Sequence, residues 1–122
     1  FEIYRNGAFI WKAGMTPETI DEPCSHLDLL PTLSNLFGLE FDSRLYMGRD
    51  VFSDAEPLVM FRNRSWITDT AQYNSQTGKA EFFGGAETDE AYVKAIKTEV
   101  NNRFSVSSRI LENDYWRILF GE

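Results

Sequence analysis

The sequence predicts an α+β fold, in which a small antiparallel sheet of three to four strands packs with two or three helices. Short β-prone runs separated by turn signals fill residues 57–85, and apolar residues recur at helical spacing in residues 28–37 and again after residue 88. The composition is globular, since 43% of the 122 residues are hydrophobic and 15% are aromatic. A chain of this length can bury one hydrophobic core.

The predicted sheet is a meander of short strands. Turn signals at Asn63-Arg64 and at Thr77-Gly78 separate runs that are rich in β-branched and aromatic residues. The predicted strands are residues 58–62, 65–69, 71–74 and 79–83. Because the turns are only a few residues long, we expect neighbouring strands to run antiparallel.

The first helix is predicted over residues 28–37. Asp28 is a suitable N-cap, Pro31 falls in the first turn, where a missing N–H costs little, and Gly38 follows the last apolar residue. The apolar face consists of Leu29, Leu30, Leu33, Leu36 and Phe37. This pattern is typical of an amphipathic helix whose apolar face is buried in the core.

A second helical region begins near Asp89, where acidic residues in the first turn suit the helix dipole. Its predicted inner face consists of Tyr92, Val93, Ile96, Val100 and Phe104. Ser105 is predicted to break this helix and to cap the next one. The amphipathic pattern that follows consists of Val106, Ile110, Leu111, Tyr115, Ile118 and Leu119.

The segments on either side of the first helix carry weaker signals. Residues 1–11 are predicted to form a β-hairpin, because two apolar runs flank the strong turn signal Asn6-Gly7. Residues 39–53 are predicted to be an irregular loop that scattered apolar side chains pin to the core. Within this loop, Gly48 is predicted to take a positive φ.

Charge and composition exclude several classes of function. The net charge is −7, so the chain is not expected to bind nucleic acid or to be attracted to anionic lipid headgroups. No apolar run approaches the roughly 20 residues that span a bilayer, so we expect no direct membrane insertion by this segment. Cys24 is the single cysteine, which excludes an internal disulfide.

Few residues suggest catalysis or metal binding. His26 and Asp28 could supply half of a metal site, but two ligands are too few, and both residues suit hydrogen bonding at the start of a helix. Cys24 could act as a nucleophile with His26 as its base, although neighbours on a loop seldom aim at each other. We therefore predict no catalytic residue and no metal ligand in this chain.

Turn residues offer the candidate contacts to an anion. These residues are Arg44, Arg49, Arg62, Asn63 and Arg64. A guanidinium group presents paired donors that match the oxygens of a phosphate. The alternative is that these residues form solvated turns and surface ion pairs, which contribute little to stability.

Four segments resemble, in order, motifs of the sulfatase and alkaline-phosphatase-like superfamily. The run S-H-L-D-L-L-P-T-L from Ser25 is similar to a segment that follows the last core catalytic motif of that superfamily. The other three segments resemble lipoteichoic acid synthases and related phosphoglycerol transferases. Residues 46–53 are similar to their G-x-D-hydrophobic-F-S segment, and residues 61–68 to their F-R-N-G-x-F-I-T stretch. Residues 110–117 resemble their C-terminal helix. Each motif is weak alone, but four motifs in the same order are specific.

The resemblance implies that the chain is the C-terminal part of an alkaline-phosphatase-like α/β domain. Residues 1–56 would end the sulfatase-like core with a strand or hairpin, a helix over residues 28–37 and a loop, and residues 57–122 would form the C-terminal sheet and two helices. In that family the nucleophilic Thr and most metal ligands lie in the first half of the domain, and a last Asp-His ligand pair precedes the matched segment. This sequence contains no Asp-His pair, so we expect the chain itself to be structural and non-catalytic.

The resemblance also implies properties of a longer parent protein. That parent would be a membrane-anchored, metal-dependent transferase or hydrolase of phosphate or sulfate esters on the extracytoplasmic face of a bacterial membrane. Its divalent metal would be manganese or magnesium, with no cofactor in this segment. The partner of the chain would be the upstream catalytic half of the same polypeptide. Without those neighbours, residues 1–11 are expected to fray, to rearrange or to self-associate.

Arg62 and Asn63 are the substrate-binding candidates, because they also belong to the F-R-N motif. The alternative function is an independent protein-interaction or ligand-binding module without catalysis. Its sheet would present Trp66, Tyr73 and Phe83 to a partner, and exposed aromatic side chains at these positions would favour it. An upstream catalytic region in the same gene would favour the transferase.

Overall fold

The computed structural model describes residue 1 and residues 5–121, and over this range the chain forms a four-stranded antiparallel sheet and three α-helices. The strands are β1 (Val59–Met60), β2 (Trp66–Ile67), β3 (Ala71–Asn74) and β4 (Lys79–Phe82), and the helices are α1 (Leu29–Leu36), α2 (Glu90–Glu112) and α3 (Tyr115–Phe120). Each strand pairs with the next one along the chain. The predicted α+β class and the antiparallel meander are confirmed.

The core lies between one face of the sheet and α2. Trp66 on β2 and Val100 on α2 are completely buried. The ring of Trp66 stacks on Tyr73 of β3, with 5.7 Å between the ring centroids, and makes an edge contact with Tyr92 at 6.3 Å. The other apolar residues of α2 that pack against this core are Val93, Ile96 and Phe104. The predicted inner face of α2 is therefore confirmed.

Helix α2 is longer than the sequence predicts. The carboxylate of its N-cap, Asp89, accepts a backbone N–H of the first turn at 3.0 Å. The helix runs through Ser105, so the predicted break there is wrong; one exposed serine costs a helix little. The break falls instead at Asp114, whose φ is 48°. Leu111 and Ile118, from the second apolar pattern, face solvent in the part of the chain that is described.

The ends of α1 are closed by hydrogen bonds. At the C-terminal end Gly38 takes a φ of 67°, and Gly38 and the residue after it donate to two carbonyls of the last turn at 3.1 and 2.8 Å, as the sequence predicts for a glycine in this place. At the N-terminal end Asp28 takes the predicted N-cap position of α1, but its side chain caps no N–H of that helix, and the side-chain cap is Ser25, one turn earlier. The reason is a 3-10 turn (His26–Asp28) that precedes the α-helix and takes Asp28 into its capping box.

The apolar face of α1 is largely exposed in the described chain, with Leu33 and Leu36 half-buried, so the prediction of a buried face is wrong here. Leu30 is 54% exposed and Phe37 is 61% exposed. The buried residues of the helix are Pro31, Thr32 and Ser34. A polar contact on that side holds this orientation, because the buried Thr32 hydroxyl accepts the N–H of Val51 from the following loop at 3.0 Å. The same hydroxyl donates to the Asp28 carbonyl within the helix at 2.6 Å, so it is fully hydrogen-bonded.

Gly48 is needed for a close backbone approach and not for the positive φ that was predicted, since its φ lies outside the left-handed region. A Cβ atom at this position would lie 2.1 Å from the carbonyl oxygen of Leu27 and 2.7 Å from the backbone nitrogen of Asp28. The loop that contains Gly48 therefore packs directly on the turn before α1.

The predicted N-terminal hairpin is wrong for the part of it that the structure describes, because residues 5–12 contain no strand; residues 2–4 lie outside the described range. Phe9 is fully exposed. Lys12 ties the segment to the end of α1 through a 2.9 Å hydrogen bond from its Nζ to the Leu36 carbonyl. A two-stranded hairpin is marginal unless it extends a larger sheet, so a strong local turn signal is not sufficient.

The two predicted units, residues 1–56 and 57–122, contact each other through the loop after α1. The guanidinium of Arg103 on α2 donates to the Met47 carbonyl at 2.7 Å. The boundary between the units stays a prediction. Across the described ranges, no helix combines the length and the apolarity that crossing a membrane requires.

Candidate functional site

The predicted substrate contacts Arg62 and Asn63 lie at the tip of the β1–β2 hairpin. The N–H of Arg64 donates to the Phe61 carbonyl at 2.8 Å, and the N–H of Phe61 donates to the Ser65 carbonyl at 2.9 Å, which closes a three-residue loop. Asn63 supports this turn, because its Oδ1 accepts the N–H of Ser65 at 3.0 Å. Arg62 is exposed, and no hydrogen bond or ion pair engages its guanidinium within the described ranges.

Two serines fix the hairpin tip to the end of β3, a feature that the sequence analysis missed. The hydroxyl of Ser75 donates to the Asn63 carbonyl at 2.6 Å. The backbone N–H of Ser75 donates to the Ser65 hydroxyl at 3.0 Å, and the two hydroxyls lie 3.1 Å apart. Asn63 is therefore held through both its backbone and its side chain, which keeps the neighbouring Arg62 on a well-anchored tip.

Arg64 packs on the protein and is not free to contact an anion. Its φ is 70°, a left-handed conformation that favours glycine, which is the residue at this place in the F-R-N-G motif that residues 61–64 resemble. The guanidinium carbon of Arg64 lies 3.7 Å from the centroid of the Phe104 ring on α2. This cation–π contact joins the hairpin to the helix and offsets part of the backbone strain.

Arg44 is paired with the carboxylate of Asp42, two residues before it. Its Nε and Nη2 donate to the two oxygens of Asp42 at 2.9 and 2.6 Å. The side-chain hydrogen bond from Arg44, together with its backbone N–H, lowers the pKa of Asp42 from 3.8 to about 2. Asp42 also caps the 3-10 turn Ser43–Leu45 that follows it. The pair is exposed and stabilises this turn. The Arg44 guanidinium is therefore already paired with a carboxylate and is not a free anion contact.

Arg49 is buried and holds three chain segments together. Its backbone N–H donates to Oδ1 of Asp28 at 2.8 Å, its Nη2 contacts Glu22 at 2.7 Å, and its Nη1 donates to the Ala55 carbonyl at 2.9 Å. The buried Nε has no hydrogen-bond partner among the residues described. No local pattern in the sequence indicates the contact with Glu22. Arg49 is therefore a structural residue rather than an exposed anion contact.

A cleft of about 640 Å³ opens between the loop after α1 and helix α2. Its charged lining consists of Arg44, Arg49, Asp50, Glu56, Glu99 and Arg103. Its three arginines each contact an acidic side chain, as Arg103 does with Glu99 at 2.6 Å. Arg62 and Asn63 do not line this cleft. The structure thus brings two of the predicted anion contacts, Arg44 and Arg49, to this cleft, where both are already paired with carboxylates. The other three, Arg62, Asn63 and Arg64, lie elsewhere, at the hairpin tip.

The residues considered for metal binding or nucleophilic catalysis do not form a reactive site. Asp28 is buried and accepts the N–H of Ser25 at 2.7 Å, in addition to the N–H of Arg49. Cys24 and His26 are exposed, and no hydrogen bond joins them. Within residue 1 and residues 5–121, no three His, Cys, Asp or Glu side chains are grouped so that they could hold a metal ion.

The aromatic residues proposed for an interaction module are mostly in the core. Trp66 is completely buried and Tyr73 is 7% exposed, so neither is presented to a partner. Phe83, at 41% exposure, is the exposed member of the three. The sheet aromatics therefore do not favour the alternative function.

Comparisons with known proteins agree with the motifs. No family model matches the chain. The chain is similar to the lipoteichoic acid synthase-like protein YvgJ of Bacillus subtilis strain 168, with 32% identity over 102 residues that cover 83% of this chain and 16% of that protein. It is 33% identical to lipoteichoic acid synthase 1 of the same strain over 98 residues, or 75% of this chain and 14% of that protein.

A relative from another genus aligns over a longer stretch. Lipoteichoic acid synthase of Staphylococcus aureus strain USA300 is 26% identical over 118 residues, which cover 95% of this chain and 18% of that protein. The chain thus spans between 14% and 18% of the length of these relatives. It belongs to the lipoteichoic acid synthase-type group of the sulfatase superfamily and corresponds to a C-terminal portion of such proteins.

Proposed function

We propose that this chain is the C-terminal structural part of a longer phosphoglycerol transferase, or of a related transferase or hydrolase of phosphate esters. The observation that carries the proposal is the match to proteins named lipoteichoic acid synthase, which extends over 75% to 95% of this chain. The order of the four sequence motifs supports the same assignment.

The chain would supply scaffold rather than reactive groups. Its buried charged residues serve packing, as the contacts of Asp28 and Arg49 show. The resemblance implies a divalent metal, manganese or magnesium, but the described residues offer no fitting set of donors for it. We therefore assign the metal and the nucleophilic threonine to the upstream catalytic half of the parent, which would be the partner of this chain.

Within this proposal, Arg62 is the residue of the chain best suited to contact a phosphate. Its guanidinium is exposed at the tip of an anchored hairpin, and its paired donors match phosphate oxygens. Asn63 holds the tip through its hydrogen bonds to Ser65 and Ser75. We assign substrate contact to Arg62 and the positioning of the hairpin to Asn63.

We place the parent at the extracytoplasmic face of a bacterial membrane, with its membrane anchor outside this chain. This placement rests on the family resemblance of the motifs and on the names of the relatives. It predicts that antibody or protease added outside intact cells reaches an epitope inserted at the exposed turn around Gly78.

The test measures turnover of a fluorogenic phosphoglycerol ester in the presence of manganese. We expect the full-length gene product to be active and the 122-residue chain to be inactive. In the full-length protein, Arg62→Ala should raise KM about tenfold through the loss of a charged hydrogen bond, and Arg62→Lys should recover part of it. The matched control is Arg109→Ala, which removes an exposed arginine of α2.

Two results would count against these assignments separately. Turnover by the chain alone would overturn the proposal that it is a scaffold. Unchanged kinetics for Arg62→Ala in an active full-length protein would remove Arg62 from the substrate site and leave the scaffold role standing.

A further inference from the structure

Helix α1 presents an apolar surface that the described structure leaves largely uncovered, with Leu33 and Leu36 half-buried. At about 100° per residue, the four leucines of the helix and Phe37 at its C-cap fall within an arc of about 120°. The buried Pro31 lies opposite this arc, and the buried Thr32 and Ser34 lie beyond its two edges. The most exposed apolar residues on the helix and just after it, which we call the outer α1 face, are Leu29 at 40%, Leu30 at 54%, Phe37 at 61% and Leu39 at 61%.

The orientation of this face is fixed by polar contacts on the opposite side of the helix. The Thr32 hydroxyl accepts the N–H of Val51 at 3.0 Å, and Nδ2 of Asn35 donates to the Asp50 carboxylate at 2.8 Å. At the start of the helix, the buried Asp28 accepts the N–H of Arg49 at 2.8 Å. Rotation of α1 to bury its leucines would break these contacts and expose polar groups in their place. The outward direction is therefore built into the fold.

The segment that precedes α1 continues the apolar surface. Phe9 and Trp11 are exposed, and Lys12 bonds to the Leu36 carbonyl at the end of α1, which brings this segment to the same end of the helix. Soluble proteins rarely leave several large apolar side chains uncovered in one region, and such patches mark contact surfaces. The outer α1 face carries no charged residue, so its partner surface must be apolar as well.

We infer that the outer α1 face is the surface on which the upstream part of the same polypeptide docks, an inference that rests on the proposed function. The relatives are more than five times as long as the matched region, since that region covers 14% to 18% of them. A covalently linked apolar surface has a high effective concentration at this face and outcompetes a second copy of the chain. The outer α1 face is thus an intramolecular interface of the parent protein.

The test is hydroxyl-radical footprinting of the full-length gene product. Leu30 is compared with Leu111, a residue of the same type on α2 that is 73% exposed and lies outside the outer α1 face. Docking predicts that Leu30 is oxidised at least about tenfold more slowly than Leu111 at every protein concentration. Equal oxidation rates would overturn the inference, and protection of Leu30 that disappears on dilution would assign the face to a second copy instead.

A pair of variants of the full-length protein gives a second readout. Leu30→Glu should lower the thermal midpoint, whereas Leu111→Glu should leave it within the error of the measurement; equal shifts would contradict the docking. Turnover of the phosphoglycerol ester by the unmodified protein separates the two hypotheses. An active protein with a reactive Leu30 refutes only the docking, an inactive protein with a protected Leu30 refutes only the proposed function, and a gene that encodes nothing upstream refutes both.

Discussion

Replacement of Gly48 by alanine should destabilise the protein severely. A Cβ atom at this position would lie 2.1 Å from the carbonyl oxygen of Leu27, 2.4 Å from its carbonyl carbon and 2.7 Å from the backbone nitrogen of Asp28. Side chains do not approach backbone atoms this closely, and backbone cannot swing aside as a flexible side chain can. The loop that carries Gly48 must therefore move away from the turn before α1.

The cost follows from the contacts that this loop makes. Overpacking a rigid site costs about 1–3 kcal/mol. The movement would also weaken the 2.8 Å bond from the Arg49 N–H to Asp28 and the 2.7 Å bond from Arg103 to the Met47 carbonyl, each worth about 1.5 kcal/mol because a charged group takes part. Partial relaxation makes the expected loss about 3 kcal/mol, which corresponds to a fall of about 12 °C in Tm for a chain of 122 residues.

Thermal and urea denaturation followed by circular dichroism measure this loss. The matched control is Gly7→Ala, because a Cβ atom at Gly7 would meet only the Phe9 side chain at 3.9 Å and the φ there is not positive. That variant should stay within about 0.5 kcal/mol of the parent sequence. A loss of less than about 1 kcal/mol for Gly48→Ala would show that the loop does not approach the Leu27 backbone this closely.

Three further predictions concern single residues. Arg64→Gly should be more stable than Arg64→Ala by about 1 kcal/mol, because only glycine relieves the left-handed strain while both variants lose the contact with Phe104. Asp28→Asn should cost about 2–3 kcal/mol, because an amide NH₂ replaces one of the carboxylate oxygens that accept backbone N–H groups. Asp42 should titrate with a pKa of about 2 by carboxyl NMR, and Arg44→Gln should return that pKa toward 3.8. Because folding lowers this pKa, the stabilisation by Asp42 is present above pH 3.8 and is lost as the pH falls through about 2.

Each of these predictions has a contrary outcome. Equal stabilities of the two Arg64 variants would remove the strain argument. A neutral Asp28→Asn change would show that its buried carboxylate does not hold the Arg49 loop. An Asp42 titration near 3.8 in the parent sequence would show that Arg44 does not pair with it in solution.

The sheet and α2 could be predicted because their signals are local. The turn at Asn63-Arg64 lies within a few residues of the strands that it joins, and Tyr92, Ile96 and Val100 are spaced by the helix that carries them. The end of α1 at Gly38 is a local signal of the same kind. Such elements form from neighbours in sequence, so one sequence is enough to find them.

The orientation of α1 could not be predicted, because residues far along the chain decide it. Periodicity shows that the leucines share one face, but the contact between Thr32 and Val51, 19 residues apart, determines which side is buried. The pairing of Arg49 with Glu22 spans 27 residues and carries no local pattern. Gly48 is a similar case, since its need for glycine comes from Leu27 across the fold and not from its own φ.

The candidate site could be predicted only in part. The motif around Arg62 and Asn63 pointed to the hairpin tip. The structure adds that Asn63 is hydrogen-bonded within the turn, whereas Arg62 is exposed to solvent. The burial of Arg49 and the packing of Arg64 on Phe104 could not be predicted from the sequence, because an arginine in a turn is expected to be exposed to solvent. Substrate contact by Arg62 and Asn63 stays a prediction, and the hydrogen bonds of Asn63 are why we propose that it positions the hairpin for Arg62.

The central claim is that the metal centre and reactive groups of the parent protein lie outside this chain. Calorimetric titration with manganese of the purified chain, beside the full-length gene product, tests it most directly. We predict saturable binding by the full-length protein and none in the micromolar range by the chain. One-site micromolar binding by the chain alone would contradict the claim.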